Sequence, residues 1–352
     1  MGLTSPERSG WSRRELLLAV GAAACPQAWA QVAPREVVDG VNRRIRLPAK
    51  VQRVFPAGPP AAIWLYTVAP DLLIGWPRAN RAAEREFLLP GVGDRPEVGR
   101  LTGRGNSANL EQVLALRPDL IVDAGSTRQT FVELADRVQA QTGIPYALLD
   151  GRLEAVAEGY RLLGALTGRA ERAAELGAYA EQTLRTVRQR MASVASSDQP
   201  RVYYARGPEG LQTGLGGSIN VEIMDLMGIR NVAGGVPGGL VNVSMEQVLA
   251  WDPEVIITID QTFAQTVRSN PLWRSVTAVK TGRVHLSPKL PFGWVDFPPS
   301  VNRLPGLWWL GHKVHPALFP EDLDQITREF YRLFYQVDVT PEQVVRVLAG
   351  RT

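Results

Sequence analysis

Arginines and aromatic rings supply the pocket chemistry available to this chain. In the amino-terminal half the candidates are Tyr66, Trp76, Arg78, Arg100 and Arg104. In the second half they are Tyr204, Arg206, Trp294, Asp296 and Arg303. Each falls in or beside a predicted strand-to-helix segment, and open α/β sheets hold ligands beyond the carboxyl ends of their strands. Arginine offers a planar donor fork suited to carboxylate, catecholate or oxyanion oxygen. Aromatic faces suit a large planar or chelated ligand. Arg104 and Arg206, in glycine-flanked loops, stand out. Trp64, inside a predicted helix, reads as core. Tyr204 and Arg303 each have a structural alternative, as a strand core residue and as a partner within helices.

What is missing narrows the chemistry. The histidines are His285, His312 and His315, so the first half has none. A bare zinc or manganese cage drawing ligands from two lobes is therefore not expected, and His312 and His315 read as surface residues of one helix. Gly214-x-Gly216 lacks the rest of a dinucleotide fingerprint, and no Gly-Lys-Ser or Gly-Lys-Thr phosphate loop occurs. No serine nucleophile elbow is present. The expectation is a protein without catalysis and without a resident cofactor.

The elements that position the candidates are read from a repeat. Asn109-Leu110-Glu111-Gln112-Val113-Leu114-Ala115 returns as Ser244-Met245-Glu246-Gln247-Val248-Leu249-Ala250, with Glu111 and Glu246 standing 135 residues apart. Each copy runs on to a Pro, an acid and an apolar β-branched stretch. Asn109 or Ser244 can cap a short helix through its side-chain oxygen, and the acid in the first turn suits the helix dipole. Pro118 and Pro253 close the helices, and Leu120-Ile121-Val122 and Val255-Ile256-Ile257 read as buried strands. A repeat this long exceeds a solenoid period of about 20–50 residues and matches two similar lobes.

Further elements fall around this frame. A strand at 53–58 precedes a helix opened by Pro59-Pro60 and running through Val68. Leu72–Trp76 reads as a second short strand, Thr130–Thr142 as a helix and Ile144–Leu149 as another strand. Residues 152–196 are rich in Ala, Leu, Glu and Arg at helical spacing, with a break near Leu166–Arg169, and predict a stiff helical link. The fold class is α/β, two similar lobes with parallel sheets joined by a single long helical connector. The boundaries are 31–151 for the first lobe, 152–198 for the connector and 199–352 for the second lobe with its carboxy-terminal helices.

Composition agrees with a soluble globular chain. Hydrophobic residues make up 45% and charged residues 21% of 352 residues, with a net charge of +4. No Lys/Arg block interleaved with aromatics appears, so a nucleic-acid partner is not expected. Residues 1–30 stand apart. Ser12-Arg13-Arg14-Glu15-Leu16-Leu17-Leu18, an apolar run and Ala28-Trp29-Ala30 read as a twin-arginine export signal cleaved after Ala30. Cys25, the only cysteine, is an alternative site of lipid anchoring. Cleavage after Ala30 leaves a chain with no disulfide and no thiolate nucleophile.

These features together resemble the substrate-binding proteins of bacterial ABC importers for siderophores, cobalamin and haem. The resemblance rests on the twice-used Glu-containing helix, the helical connector, Gly216-Gly217-Ser218 with Met227-Gly228-Ile229-Arg230-Asn231-Val232, and Asn270-Pro271-Leu272-Trp273 followed by Ala278–Val284. It covers roughly residues 45–340. Leu290–Asp296 running into Pro298–Leu304 looks like the branch for iron complexes, which includes molybdate and tungstate binders. The resemblance implies a periplasmic, monomeric, non-enzymatic protein that delivers a ferric siderophore or similar iron chelate to an ABC permease dimer in the inner membrane. A molybdate or tungstate oxyanion, cobalamin and haem are the alternatives, and an extracytoplasmic ligand sensor without transport is the rival of another class. It also implies that Glu111 and Glu246, one per lobe, dock onto the two permease subunits.

Overall fold

A computed structural model describes Met1, Gly2, residues 35–103 and residues 107–350. Apart from Met1 and Gly2, the expected export signal at 1–30 lies outside those residues, as do Cys25 and Arg104. The two lobes belong to one compact unit, Pro34–Thr352.

The first lobe opens with an antiparallel hairpin of β1 (Arg35–Val38) and β2 (Arg44–Leu47). β3 (Val54–Pro56) leads into α1 (Pro59–Val68), which starts at its two prolines as the sequence indicates. Every residue of α1 from Ala61 to Val68 is buried, the mark of a helix that is apolar on all sides. A short turn of helix, α2 (Ala82–Arg85), precedes α3 (Leu110–Leu116), β4 (Leu120–Gly125), α4 (Gln129–Thr142) and β5 (Tyr146–Asp150). The three strands form a parallel sheet in the order β3-β4-β5. The strand expected at Leu72–Trp76 is reduced to two isolated bridges, Leu73 to Val54 and Trp76 to Glu97. Pro70 starts a single 3-10 turn there, so the chain meets the sheet at one residue only.

The helical link is two elements. α5 (Val156–Thr167) and α6 (Ala170–Met191) break at Gly168, which takes a left-handed φ of 73°. They then fold against each other, with Gly164 beside Ala173 and Gly177 beside Ala157 and Tyr160. α5 also packs on α1: a Cβ on Gly159 would stand 2.4 Å from the Trp64 ring. The helix that runs on to the second lobe is α6, whose 22 residues span about 33 Å. α5, within the expected connector, thus packs on both α6 and α1.

The second lobe holds β6 (Arg201–Ala205), β7 (Gln212–Gly214), α7 (Glu222–Leu226), β8 (Arg230–Asn231), β9 (Leu240–Asn242), α8 (Met245–Trp251), β10 (Val255–Thr258), α9 (Gln261–Thr266), α10 (Thr277–Lys280) and β11 (Val284–Leu286). Its parallel sheet runs β11-β10-β6-β8, and β7 pairs with β9 in a separate antiparallel ribbon. α11 (Arg303–Val314), α12 (Leu323–Phe330) and α13 (Pro341–Leu348) close the chain. This closing part also grips the first lobe. Tyr66 donates from its hydroxyl to the Tyr335 carbonyl at 2.8 Å and accepts from the Leu89 amide. Arg346 pairs with Glu86, and Arg172 donates to the Leu333 carbonyl.

The repeat is reproduced in atomic detail. Asn109 and Ser244 accept hydrogen bonds from the amides of Gln112 and Gln247 as helix caps. Both helices end on a left-handed residue before the proline, Arg117 at φ 46° and Asp252 at φ 38°. The acid after each proline secures the neighbouring strand. Asp119 accepts from the amides of Gln52 and Arg53, and Glu254 accepts from the Arg201 amide. Arg53 and Arg201 in turn donate to the exposed carbonyls of the helix ends, at Leu116 and Trp251. The two units then pair alike, β4 between β3 and β5, β10 between β6 and β11.

Candidate ligand-binding cleft

The carboxyl ends of both sheets open into one cleft. At its centre is a cavity of about 420 Å³, lined among others by Arg100, Thr102, Asp123 and Ser126 from the first lobe and Arg206, Asn220 and Asp296 from the second. Towards one side the cleft widens into a space of about 680 Å³ between Gly125–Arg128, Asp150 and Arg152 and the glycine-rich segments 216–220 and 237–239. The ends of β4 and β5 meet closely beneath it. Gly151 donates to the Gly125 carbonyl at 2.8 Å, and a Cβ on Gly151 would fall 2.5 Å from the Gly125 Cα. Only glycine permits this approach.

Arg206 is the centre of the second-lobe wall. It follows β6 directly, and its backbone is pinned to Gln212 by reciprocal hydrogen bonds of 2.8 and 3.2 Å. Its side chain is only 10% exposed, and its Nε lies 3.4 Å from Asp296 Oδ2. Yet Nε and Nη1 are buried without a hydrogen-bond partner. A buried guanidinium with idle donors is costly, and a ligand oxygen in the adjoining cavity would satisfy it. Asp296, itself buried, is held by the Tyr204 hydroxyl, by Asn220 Nδ2 (both at 2.8 Å) and by the Phe297 amide at 2.6 Å. Tyr204 is thus a support. Burial, then the Asp296 charge, raises its hydroxyl well above the ordinary range, and it stays a donor.

Asp123 is the buried acid that the first lobe brings to the central cavity. It accepts from Thr102 Oγ1 at 3.0 Å, from the Ala124 amide at 2.9 Å and from the Tyr146 hydroxyl at 3.3 Å. Burial nonetheless pushes its carboxyl up to about 6, against the lowering effect of those hydrogen bonds.

The cleft gathers some of the expected residues and not others. Arg100, Arg206 and Asp296 line the central cavity. Trp76 and Arg78 line a side pocket that opens from it, with Arg78 held by Glu84 in a two-bonded pair at 2.7 and 2.8 Å. Tyr66 and Trp294 are core residues and line none of these spaces. Arg303 also lines none of these spaces. It is fully buried and spends its donors on the Gly151 carbonyl, the Ser300 carbonyl and Glu222. His312 and His315, expected at the surface, are half-buried at the end of α11. Asp123, Ser126, Arg128, Asn220 and Phe297 join the cleft without having been expected from the sequence. Asp123 leaves one signal there, an acid at the end of an apolar strand. The others depend on how loops from two lobes converge.

Among the described residues no group of three His, Cys, Asp or Glu could hold a metal ion, and no helix is long and apolar enough to cross a membrane. The model of the periplasmic binding protein family matches residues 65–290, more than half of the chain. The chain belongs to that family. Its members are solute-binding, non-enzymatic components of transport, and the family works in an extracytoplasmic compartment. A solved ABC transporter solute binding protein from Sulfurospirillum deleyianum is 31% identical, with a TM-score of 0.82 over 89% of this chain and 98% of that one. The molybdate-binding protein MolA of Haemophilus influenzae is 24% identical over 71% of this chain and 77% of its own. A cobalamin-binding protein of Halobacterium salinarum is 27% identical, the match covering 70% of this chain and 66% of that protein.

Proposed function

We propose that this binding protein captures an anionic metal complex, a ferric siderophore or similar iron chelate, and hands it to an ABC permease. The observation that carries the reading is Arg206, a buried cation whose Nε and Nη1 have no hydrogen-bond partner beside an open cavity of about 420 Å³. Arg100 and Arg128 line the same cavity and add positive charge. A bare oxyanion occupies only a few times the roughly 30 Å³ of a water molecule, so the cleft has room for a chelate around the metal. Molybdate is the second reading, supported by the likeness to the Haemophilus influenzae protein named for that anion.

Titration of the protein with ferric citrate, molybdate and cyanocobalamin, followed by tryptophan fluorescence, tests the reading. The expected result is saturation by an anionic complex and a loss of at least about tenfold in affinity in Arg206→Gln, since a hydrogen bond to a charged group is worth about 1.5–3 kcal/mol. Unchanged affinity in that variant would overturn it.

Delivery is assigned to Glu111 and Glu246. Both are exposed in the first turns of α3 and α8, at equivalent places of the two lobes. That arrangement suits a partner built of two like subunits that present basic residues. Export through a twin-arginine signal in residues 1–30 is part of the same proposal.

A further inference from the structure

The side pocket beside the Arg206 cavity has a different character. It encloses about 310 Å³ and is lined by Ile63, Trp76, Phe292, Phe297 and Pro298, with Arg78 and Arg100 at its polar end. The Trp76 and Phe292 rings stand 5.6 Å apart at 39°. The indole N–H of Trp76 is taken by the Val92 carbonyl at 2.8 Å, so the ring has no free donor to offer. The two spaces are continuous: Pro59, Arg100, Phe297 and Pro298 belong to both linings.

Phe297 stands at the join. It is 57% exposed, an unusual position for a large ring, and its backbone lies in the left-handed region at φ 69°. A bulky residue is held there only when its surroundings fix it, and such positions cluster at ligand clamps. The fixing contact is its own amide on Asp296, the acid that also holds Arg206. The ammonium of Lys289 lies 5.3 Å from the ring centre. Asp296 thus links the anion seat on one side to an aromatic ring on the other.

We infer that the cleft reads two parts of one ligand, and that the side pocket takes a flat aromatic arm of the complex whose anionic centre sits at Arg206. This inference rests on the anion-binding reading above. The ligand class that satisfies both seats is an anionic metal complex with ring-bearing chelating groups. A bare oxyanion fills only the first seat.

The test uses three anions that differ in one respect: molybdate with no organic arm, ferric citrate with aliphatic arms, and ferric 2,3-dihydroxybenzoate with aromatic arms. Binding is measured by calorimetry to the whole protein, to Phe297→Gly and to Phe297→Asn. Glycine and asparagine both tolerate the left-handed backbone, and unchanged melting midpoints show that the fold persists. The wild type should bind the dihydroxybenzoate complex about tenfold more tightly than ferric citrate, the scale of one well-packed ring contact. Both variants should erase that preference, costing the dihydroxybenzoate complex about tenfold more affinity than they cost molybdate or citrate. Equal affinity for the two ferric complexes in the wild type, or an equal loss for all three anions in the variants, would overturn the two-seat inference. Absence of binding by every anion, or indifference of all three to Arg206→Gln, would instead bring down the anion reading beneath it.

Discussion

Asp123 and Arg206 show how much one residue's surroundings decide. As types, an aspartate at a strand end and an arginine in a loop are ordinary. Arg206 was legible because glycines flank its loop, whereas Asp123 directly follows the repeat, which ends at Val122, and reads as the end of a strand. Burial raises the Asp123 carboxyl to about 6 from an ordinary value of 3.8, and this has a defined effect on stability. The folded form holds the proton more tightly than the unfolded one, so the contribution is fully present below about pH 3.8 and is lost as pH rises through about 6. Its upper bound is roughly 3 kcal/mol. The wild type should therefore lose stability relative to Asp123→Asn between pH 4 and pH 7, seen as a converging or crossing of their melting midpoints. Protonation also removes a negative charge from a cavity that holds Arg100, Arg128 and Arg206. Anion affinity should rise from pH 7 to pH 5 in the wild type and stay flat in the variant. Parallel pH profiles for the two proteins would contradict this role.

At the scale of elements, the short helices of the repeat were the most legible part. Asn109 and Ser244 cap as their chemistry indicates, and the acids after the prolines have a shared purpose, securing β3 and β6. The sequence was less informative where an element's direction matters. Tyr66 lies on α1, which is buried all round, so periodicity could not say which side faces the cleft. Arg303 was not legible because an arginine suits an anion as well as it suits a carbonyl. In the fold it ties the lobes beside the cleft. Its Nη1 pairs with Glu222 at 2.7 Å, Nη2 bonds the Gly151 carbonyl, and Glu222 accepts the Leu153 amide at 2.9 Å. Arg303→Met would leave Glu222 without its cation, at a cost of about 3–5 kcal/mol. Urea unfolding should show that loss, and should show much of it recovered when Glu222→Leu is added. A loss below about 1 kcal/mol in the single variant would mean that the tie is not a structural pin.

Across the described residues, α6 joins the lobes and the closing segment ties them again, placing Tyr335 against Tyr66 and Arg346 against Glu86. The helical link was readable from composition, but the second tie depends on contacts 260 or more residues apart in the chain, which no local pattern encodes. Doubly tied lobes favour small motions on binding over wide closure. A nearly rigid carrier would then present Glu111 and Glu246 at a fixed separation to a twofold partner. The most direct test of the account compares binding by purified protein with uptake by cells, using the labelled metal complex that the wild type binds. Arg206→Gln should lose both. Glu111→Ala with Glu246→Ala should bind as the wild type does and deliver nothing. Uptake unchanged in the double glutamate variant, or full binding by Arg206→Gln, would contradict the account.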